Sequence, residues 1–302
     1  MKVAVLGAGA LGTLVAATLA VECDVRLLVH DARVARAIAT RGGITIAGET
    51  VRAVRVAREP EAARDVALLV VAVKAYATID ALVPLRDTLA SNAVILSLQN
   101  GIDAPSHIAS ALGQRRQVAL GPTTEAATWL EPGVVRRTAV GATHIGWARG
   151  HDPGVEPHAL AALFTRCGLH ATVARPIEPY VWAKLVINAA INPVTALAGV
   201  CNGELLERPL LRERAAALAR EAHLVAQAEG VALPFPDPVV EAERVMMLTS
   251  ANRSSMLQDV DHGRPTEIEA ISGALVRHAR AHGVAVPATQ RAYADVLART
   301  RS

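Results

Sequence analysis

An amine and two carboxamides, Lys184, Asn188 and Asn192, recur at every fourth position of VWAKLVINAAINPVTALAGV, a segment otherwise apolar enough for a buried helix. Each step of four drifts by only about 40° around a helix, so one face would carry all three. An unpartnered buried ammonium is costly and buried amides demand hydrogen-bonding partners, so the stripe points to a polar ligand. The same stripe would also arise if these groups capped a neighbouring helix or loop. In an apolar cleft, desolvation lowers an amine's pKa toward neutrality, and such an amine can serve as a general acid worth about 10² to 10⁴ in rate. Pro193 is expected to end or kink the helix, because it removes one backbone donor.

A second chemical signal opens the chain. MKVAVLGAGALGTLVAATLA runs through an apolar strand, Val3 to Leu6, into Gly7, Gly9 and Gly12 and then a helical run. In a G-x-G-x-x-G turn the first glycine permits the tight bend, the second lets a pyrophosphate approach the backbone, and the third allows close helix-to-strand packing. The phosphate charge would sit on the helix N-terminus, where unpaired amides and the dipole favour an anion. A glycine-rich turn without a ligand is the alternative.

The elements that must position these groups follow from apolar patterning. Strand-like runs at Val3 to Leu6, Val25 to Val29, Val66 to Val73 and Ala93 to Leu98 alternate with helical patterns. That alternation predicts a doubly wound parallel sheet, an α/β fold of Rossmann type. Ile44 to Ala57 alternates around Gly48-Glu49 and reads as a hairpin insertion. After Gly121 come short strands, with a turn at Glu131-Pro132-Gly133 and another strand near Thr143 to Trp147, expected to add antiparallel strands to the sheet edge. A last strand lies at Ala171 to Ala174. From Glu178 the β signal vanishes and helical patterns dominate, including Leu210 to Ala228 and Glu267 to His282. The predicted organisation is a dinucleotide-binding domain over residues 1–175 and an all-helical domain over 176–302.

Doubly wound sheets bind ligands outside the carboxyl ends of their strands. Lys74 follows the third strand there, and Gln99-Asn100-Gly101 follows the fourth. Taken alone, a lysine at a strand end reads equally as a solvated terminus and Asn-Gly as a turn.

Composition narrows the classes. With 302 residues, 52% apolar and 20% charged, the chain reads as globular and long enough for two domains. A net charge of +3 without a basic block, and only eight aromatics, give no reason to expect nucleic acid. No membrane-spanning segment is expected, and the glycine-broken N-terminus reads as mature fold, not as a secretory signal. Cys23, Cys167 and Cys201 are too few and too far apart for a disulfide framework or a zinc site, which favours a reducing cytoplasm. The ten histidines lack ligand spacing, so no metal is expected. There is no G-x-S-x-G elbow.

GAGALG at Gly7 to Gly12, VAVKAY around Lys74, LQNGI around Asn100, WAKLVINAAINPVTAL around Lys184, CNGEL around Asn202 and SSMLQDVDHGRPTEIEAISG from Ser254 together resemble the ketopantoate reductase family, the 2-dehydropantoate 2-reductases of pantothenate synthesis. The likeness spans nearly the whole chain. It implies a Rossmann domain carrying NADPH (NADP+ after reaction), a helical second domain and an active site in the cleft between them. Carried over position by position, it implies Lys184 as the catalytic acid and Asn100, Asn188, Asn192, Asn202 and Ser255 as substrate-binding residues. For the cofactor it implies Gly7, Ala8, Gly9, Ala10, Leu11 and Gly12, with Lys74, Asn100, Ala127 and Glu267. Glu267 is left two roles, bonding the nicotinamide-side ribose or anchoring the lysine.

The chemistry fits that resemblance. Reducing a ketone generates an alkoxide that needs a proton donor beside it, and Lys184 is the candidate. One departure concerns the end of the second strand, where an acid would read the ribose hydroxyls of NAD. Val29 stands there, followed by His30 where the family usually presents an arginine, then Asp31, with Arg33 available to supply the cation to a 2′-phosphate. The expected partner is a small 2-oxo acid, with a homodimer left open. Competing readings are a sibling reductase of another 2-oxo acid or imine, and a non-catalytic dinucleotide sensor.

Overall fold

Strand segments made almost wholly of Val, Leu and Ala cannot be solvated on either face, and a parallel sheet covered by helices is the arrangement that hides both. The computed structural model describes residues 1–151, 153 and 157–301. It divides into two units, Met1–Gln99 with Ala104–Ile177, and Asn100–Asp103 with Glu178–Ser302.

The first unit runs β1 (Lys2–Leu6), α1 (Ala10–Leu19), β2 (Asp24–Leu28), α2 (Ala32–Arg41), β3 (Thr45–Ile46), β4 (Arg55–Ala57), β5 (Leu68–Val71), α3 (Thr78–Leu82), β6 (Val94–Ser97), α4 (Ala104–Leu112), β7 (Gln117–Leu120), β8 (Ala126–Glu131), β9 (Val134–Ala139), β10 (Ala142–Trp147), α5 (His158–Arg166) and β11 (His170–Val173). The main sheet has the order β11-β10-β7-β6-β5-β1-β2-β4. The β4-β2-β1-β5-β6-β7 stretch is parallel throughout. Strand order reverses between β1 and β5, so the switch point of a doubly wound fold falls at their carboxyl ends. Val3, Val5, Leu27, Leu68, Val70 and Leu96 fill the core with Leu14, Ile38 and Phe164 from the helices.

The sequence-based α/β expectation agrees with this sheet, but two details of it are corrected. Ile44 to Ala57 does not form a hairpin beyond the single antiparallel bridge of Ile44 with Arg52. Instead β3 pairs in parallel with β9, and β4 joins the main sheet in parallel with β2. Ile44 and Ile46 are buried in the core together with Val135, so the alternation serves tertiary partners that local pattern cannot identify. The strands after Gly121 also divide. β8 and β9 form an antiparallel pair in a separate three-stranded sheet with β3, whereas β10 joins the main sheet antiparallel to β7 and β11 extends it in parallel.

The second unit comprises α6 (Glu178–Ala198), α7 (Glu204–Glu207), α8 (Pro209–Ala228), α9 (Pro238–Leu248), α10 (Ser255–Asp261), a π-helical turn (Glu269–Gly273), α11 (Ala274–Ala281) and α12 (Pro287–Arg301). α6 is its centre. Trp182, Leu185, Val186 and Ala189 pack into one cluster with Val225, Ile268, Leu275 and Val296, while Ala190, Ile191 and Val194 join Leu218, Ala219 and Met246 in another. By length and mean hydropathy of 1.3 this helix could cross a membrane, but 67% of its apolar window is buried within the protein, as in a core helix.

Pro193 does not end α6, which continues to Ala198. A proline inside a helix costs about 3 kcal/mol. Burial of Ile191 and Val194 on either side of it, each worth roughly 1.5–3 kcal/mol, is enough to carry the helix past the missing donor.

Candidate functional site

In the first unit the glycine loop leaves the carboxyl end of β1 at the switch point. Gly7 adopts φ +114°, and a Cβ there would meet Val73 Cγ1 and N at 2.9 Å, so neither the conformation nor the space admits a side chain. A Cβ at Gly12 would stand 2.0 Å from Gly7 O, which makes this glycine the condition for α1 to pack against its own entry turn. Gly9 is different. Nothing lies within 4 Å of its would-be Cβ, and the residue is exposed. It is the N-cap of α1, with no side-chain cap bond and no acid in the first turn. An uncapped, acid-free helix start beside an open glycine suits an anion, so these residues fit the pyrophosphate of a dinucleotide. Ala8, Ala10 and Leu11 are half-buried along the same loop.

At the end of β2, Val29 is buried and His30 exposed. Asp31 is the N-cap of α2, its carboxylate accepting from the backbone N–H of Arg33 at 2.7 Å and Val34 at 3.3 Å. Those bonds hold its pKa below the ordinary aspartate value. Arg33 projects outward, with its guanidinium 95% exposed. Lys74 lies just beyond β5, leading into a short 3₁₀ turn at Ala75–Ala77. Gln99, noted in sequence only as following the fourth strand, organises these strand ends. Its amide donates to Val73 O at 2.8 Å and Thr78 Oγ1 at 2.7 Å, and Ser97 Oγ donates to its Oε1 at 3.2 Å. Ala127 stands apart from these strand ends in sequence order and sheet, in β8 opposite Arg137, packed on the unit's core.

In the second unit Lys184, Asn188 and Asn192 follow one another along α6, the first two half-buried and Asn192 buried. Desolvation pulls the Lys184 ammonium down to about 8, while the negative charge of Glu267 pulls the other way. Residues 100–103 belong to this unit despite their position between β6 and α4. Asn100 Nδ2 donates to Glu267 Oε2 at 2.9 Å, and Asn188 Nδ2 approaches Asn100 Oδ1 at 3.4 Å. Gly101 has φ +90°, and a Cβ there would lie 2.7 Å from Ala270 O, so the loop lies directly against the π-turn. Ile102 packs into the apolar cluster around Trp182. Asp103 pairs with Arg277 at 2.8 Å and faces His278 at 3.7 Å.

The remaining predicted residues, Asn202 and Ser255, lie beyond α6, and a second set of bonds ties the start of α10 to that helix. Thr195 Oγ1 donates to Ser254 Oγ at 2.7 Å, and Ser254 Oγ caps α10 by accepting from Leu257 N at 3.1 Å. Ser255, the first residue of α10, is exposed. Asn202 is buried, with Nδ2 donating to Thr249 Oγ1 at 2.9 Å and its backbone N–H to Asn252 O at 2.9 Å, while its Oδ1 is a buried acceptor with no protein partner. The unit thus brings together Lys184, Asn188, Asn100 and Glu267 and ties the start of α10 to the far end of α6. Thr195, Ser254, Asp103 and Arg277, which position these groups, were not singled out from sequence. Only the nearness of Asp103 to the Asn-Gly turn could have flagged one of them. Among the described residues no cluster of His, Cys, Asp or Glu could hold a metal ion.

Chemically, the second unit offers a proton donor titrating near neutrality, carboxamides that can donate to a carbonyl or hydroxyl, and one buried carboxylate that fixes an amide and favours the charged lysine.

Two family models match the chain, Ketopantoate reductase PanE/ApbA over residues 3–150 and Ketopantoate reductase PanE/ApbA C terminal over residues 176–299. The 2-dehydropantoate 2-reductase of Halobacterium salinarum is 38% identical over 303 residues, covering 98% of each chain. Among solved structures, a PanE/ApbA family ketopantoate reductase from Ralstonia eutropha JMP134 aligns with TM-score 0.90 at 29% identity, over 100% of this chain and 99% of that one. D-mandelate dehydrogenase in a ternary structure with NADH and anilino(oxo)acetate aligns with TM-score 0.91 at 25% identity, again over 100% and 99%.

Proposed function

The chain belongs to the ketopantoate reductase family, and from that premise we propose that it reduces 2-dehydropantoate to pantoate with NADPH, in pantothenate synthesis. The observation that carries this reading is the desolvated Lys184 in one array with Glu267, Asn100 and Asn188. A dinucleotide sensor needs no proton donor.

Reduced nicotinamide, when bound, supplies a hydride to the substrate's ketone carbon. Every other requirement falls on side chains. The ketone oxygen gains negative charge as it is reduced and must be protonated at once. Lys184 Nζ holds that proton, and a pKa of about 8 leaves most of the amine protonated at neutral pH yet makes it a far better donor than an exposed lysine. Glu267 keeps the amine charged against the desolvation that opposes it. The same carboxylate fixes the Asn100 amide, so the group presented to the substrate is oriented before binding. Asn188 and Asn192 extend the donor row along α6. The unsatisfied Asn202 Oδ1 suits a substrate hydroxyl, and the exposed Ser255 Oγ at the N-terminus of α10 suits the carboxylate. Gly7 to Gly12 would hold the pyrophosphate, and Lys74, Ala127 and Glu267 further parts of the cofactor. The free thiols of Cys23, Cys167 and Cys201 accord with a cytoplasmic location.

A second reading is supported by the likeness to D-mandelate dehydrogenase: reduction of a different 2-oxo acid by NADH. A substrate panel separates the two. With NADPH oxidation followed by absorbance, ketopantoate should exceed 2-oxoisovalerate in kcat/KM by at least about tenfold, because the analogue lacks a hydroxyl that the site would hydrogen-bond. An aromatic 2-oxo acid turning over faster than ketopantoate would replace the substrate, and no oxidation with any 2-oxo acid would remove the reductase reading.

A further inference from the structure

A dinucleotide fold reads the adenosine ribose at the carboxyl end of β2, with an acid for NAD hydroxyls or an arginine for an NADP phosphate. Here the acid closest in sequence is already committed. Asp31 gives its carboxylate to the first-turn amides of α2, accepting from Arg33 N and Val34 N. That bonding also occupies two of the backbone donors a phosphate could otherwise take from this helix, so an anion placed here relies on side chains.

The neighbouring strand supplies one. β4 pairs with β2 in parallel, with Leu28 opposite Ala57, and Val29 N donates to Ala57 O at 2.9 Å. This register sets Arg58 beside His30. Its Nε donates to the His30 carbonyl at 3.2 Å, which anchors the base of the guanidinium to the strand end. Glu59 takes the backbone N–H of Arg58 at 3.1 Å. An arginine held at Nε presents its terminal nitrogens as a pair, the geometry that suits a phosphate.

We propose that Arg58, helped by the exposed Arg33 of α2, reads the 2′-phosphate of NADPH and sets the preference for NADPH over NADH. The assignment rests on the proposed reductase reading and concerns a residue outside every motif that carries the family resemblance. It answers how a chain with His30 after β2 supplies a phosphate-binding cation.

The test is equilibrium binding of NADPH and NADH to the wild type, Arg58→Gln, Arg58→Lys and Arg33→Gln, followed by nicotinamide fluorescence, with adenosine 2′,5′-bisphosphate as a competing ligand. Arg58→Gln should weaken NADPH and the bisphosphate by about tenfold or more, as expected for losing a charged hydrogen-bond pair. NADH, whose ribose carries no phosphate, should move far less. Arg58→Lys should recover part of the loss, since charge remains but the paired geometry does not, and Arg33→Gln should fall between wild type and Arg58→Gln. Equal losses for the two dinucleotides, or unchanged NADPH affinity in Arg58→Gln, would overturn the assignment. A wild type that binds NADPH no more tightly than NADH would overturn it while leaving the reductase reading intact. Binding of neither dinucleotide would remove both.

Discussion

The side-chain amide of Asn100 donates to Glu267 Oε2 at 2.9 Å, and the carboxylate so engaged is the one whose charge acts on Lys184. Glu267 is only 6% exposed, so its charge is little screened by water and its influence on both partners is correspondingly large. One buried acid therefore fixes the orientation of an amide and offsets part of the desolvation that lowers an amine's proton affinity.

Replacing Glu267 by glutamine keeps an oxygen for Asn100 and removes the charge. Because that charge raises the lysine's pKa against desolvation, its loss should let Lys184 fall further below about 8. The alkaline limb of the kcat profile should then move to lower pH. A pH series on Glu267→Gln measures it, and an unmoved limb would show that the carboxylate does not act through the amine.

Lys184 itself predicts both a pH profile and a stability effect. Turnover needs the protonated amine, so kcat should decline as pH rises through about 8. Lys184→Ala should lower turnover by about 10² to 10⁴ while dinucleotide binding persists. The folded pKa lies below the ordinary lysine value of 10.5, so between about 8 and 10.5 the unfolded chain binds more protons and stability rises with pH. Below that window the folded protein carries the full penalty of a desolvated ammonium. Lys184→Met should accordingly raise Tm at neutral pH, by roughly 2 kcal/mol of stability given the partial exposure of the side chain. A lower Tm in that variant would mean the lysine stabilises the fold.

The glycine loop separates binding from folding. Gly9→Ala places a methyl in open space at φ −74°, so its Tm should match the wild type while dinucleotide affinity falls by about tenfold or more through obstruction of the backbone approach. Gly12→Ala drives a Cβ to 2.0 Å from Gly7 O and should lower Tm as well. Thermal denaturation and fluorescence titration of the two variants check the distinction. Equal affinity in Gly9→Ala and wild type would place the pyrophosphate elsewhere.

Much of this arrangement was legible because local signals and tertiary roles coincide. The strand-glycine-helix order at Gly7 to Gly12 and the four-residue spacing of Lys184, Asn188 and Asn192 are written in contiguous sequence. What was not legible depends on partners far away in the chain. Ile44 to Ala57 alternates like a hairpin, yet its two ends pair with β9 and β2 because buried Ile44 and Ile46 choose the core they fit. Pro193 carries a strong helix-breaking signal that core packing overrides. The π-turn at Glu269–Gly273 left no trace in a pattern that reads as ordinary helix. That residues 100–103 fold with the helical unit is a fact of the Glu267, Ala270 and Arg277 contacts.

Those contacts make Asp103 a positioning residue for Asn100, three residues away. Its carboxylate is held below the ordinary aspartate pKa first by His278 and then by Arg277. Asp103→Asn removes the charge both partners face, and the Arg277 guanidinium, 49% exposed, is left to its pairing with Glu269. Ile102 remains packed in its cluster, so the unit should still fold. A partly exposed ion pair is worth up to about 1 kcal/mol, which corresponds to roughly fivefold if it is spent on orienting Asn100. KM for the oxo acid should rise by about that factor, with kcat changed less. Arg277→Lys should show a smaller rise, since a point charge retains part of the attraction. Steady-state kinetics on both variants decide it: a fall in Tm with KM unaltered would show that the pair braces the helices without aiming Asn100.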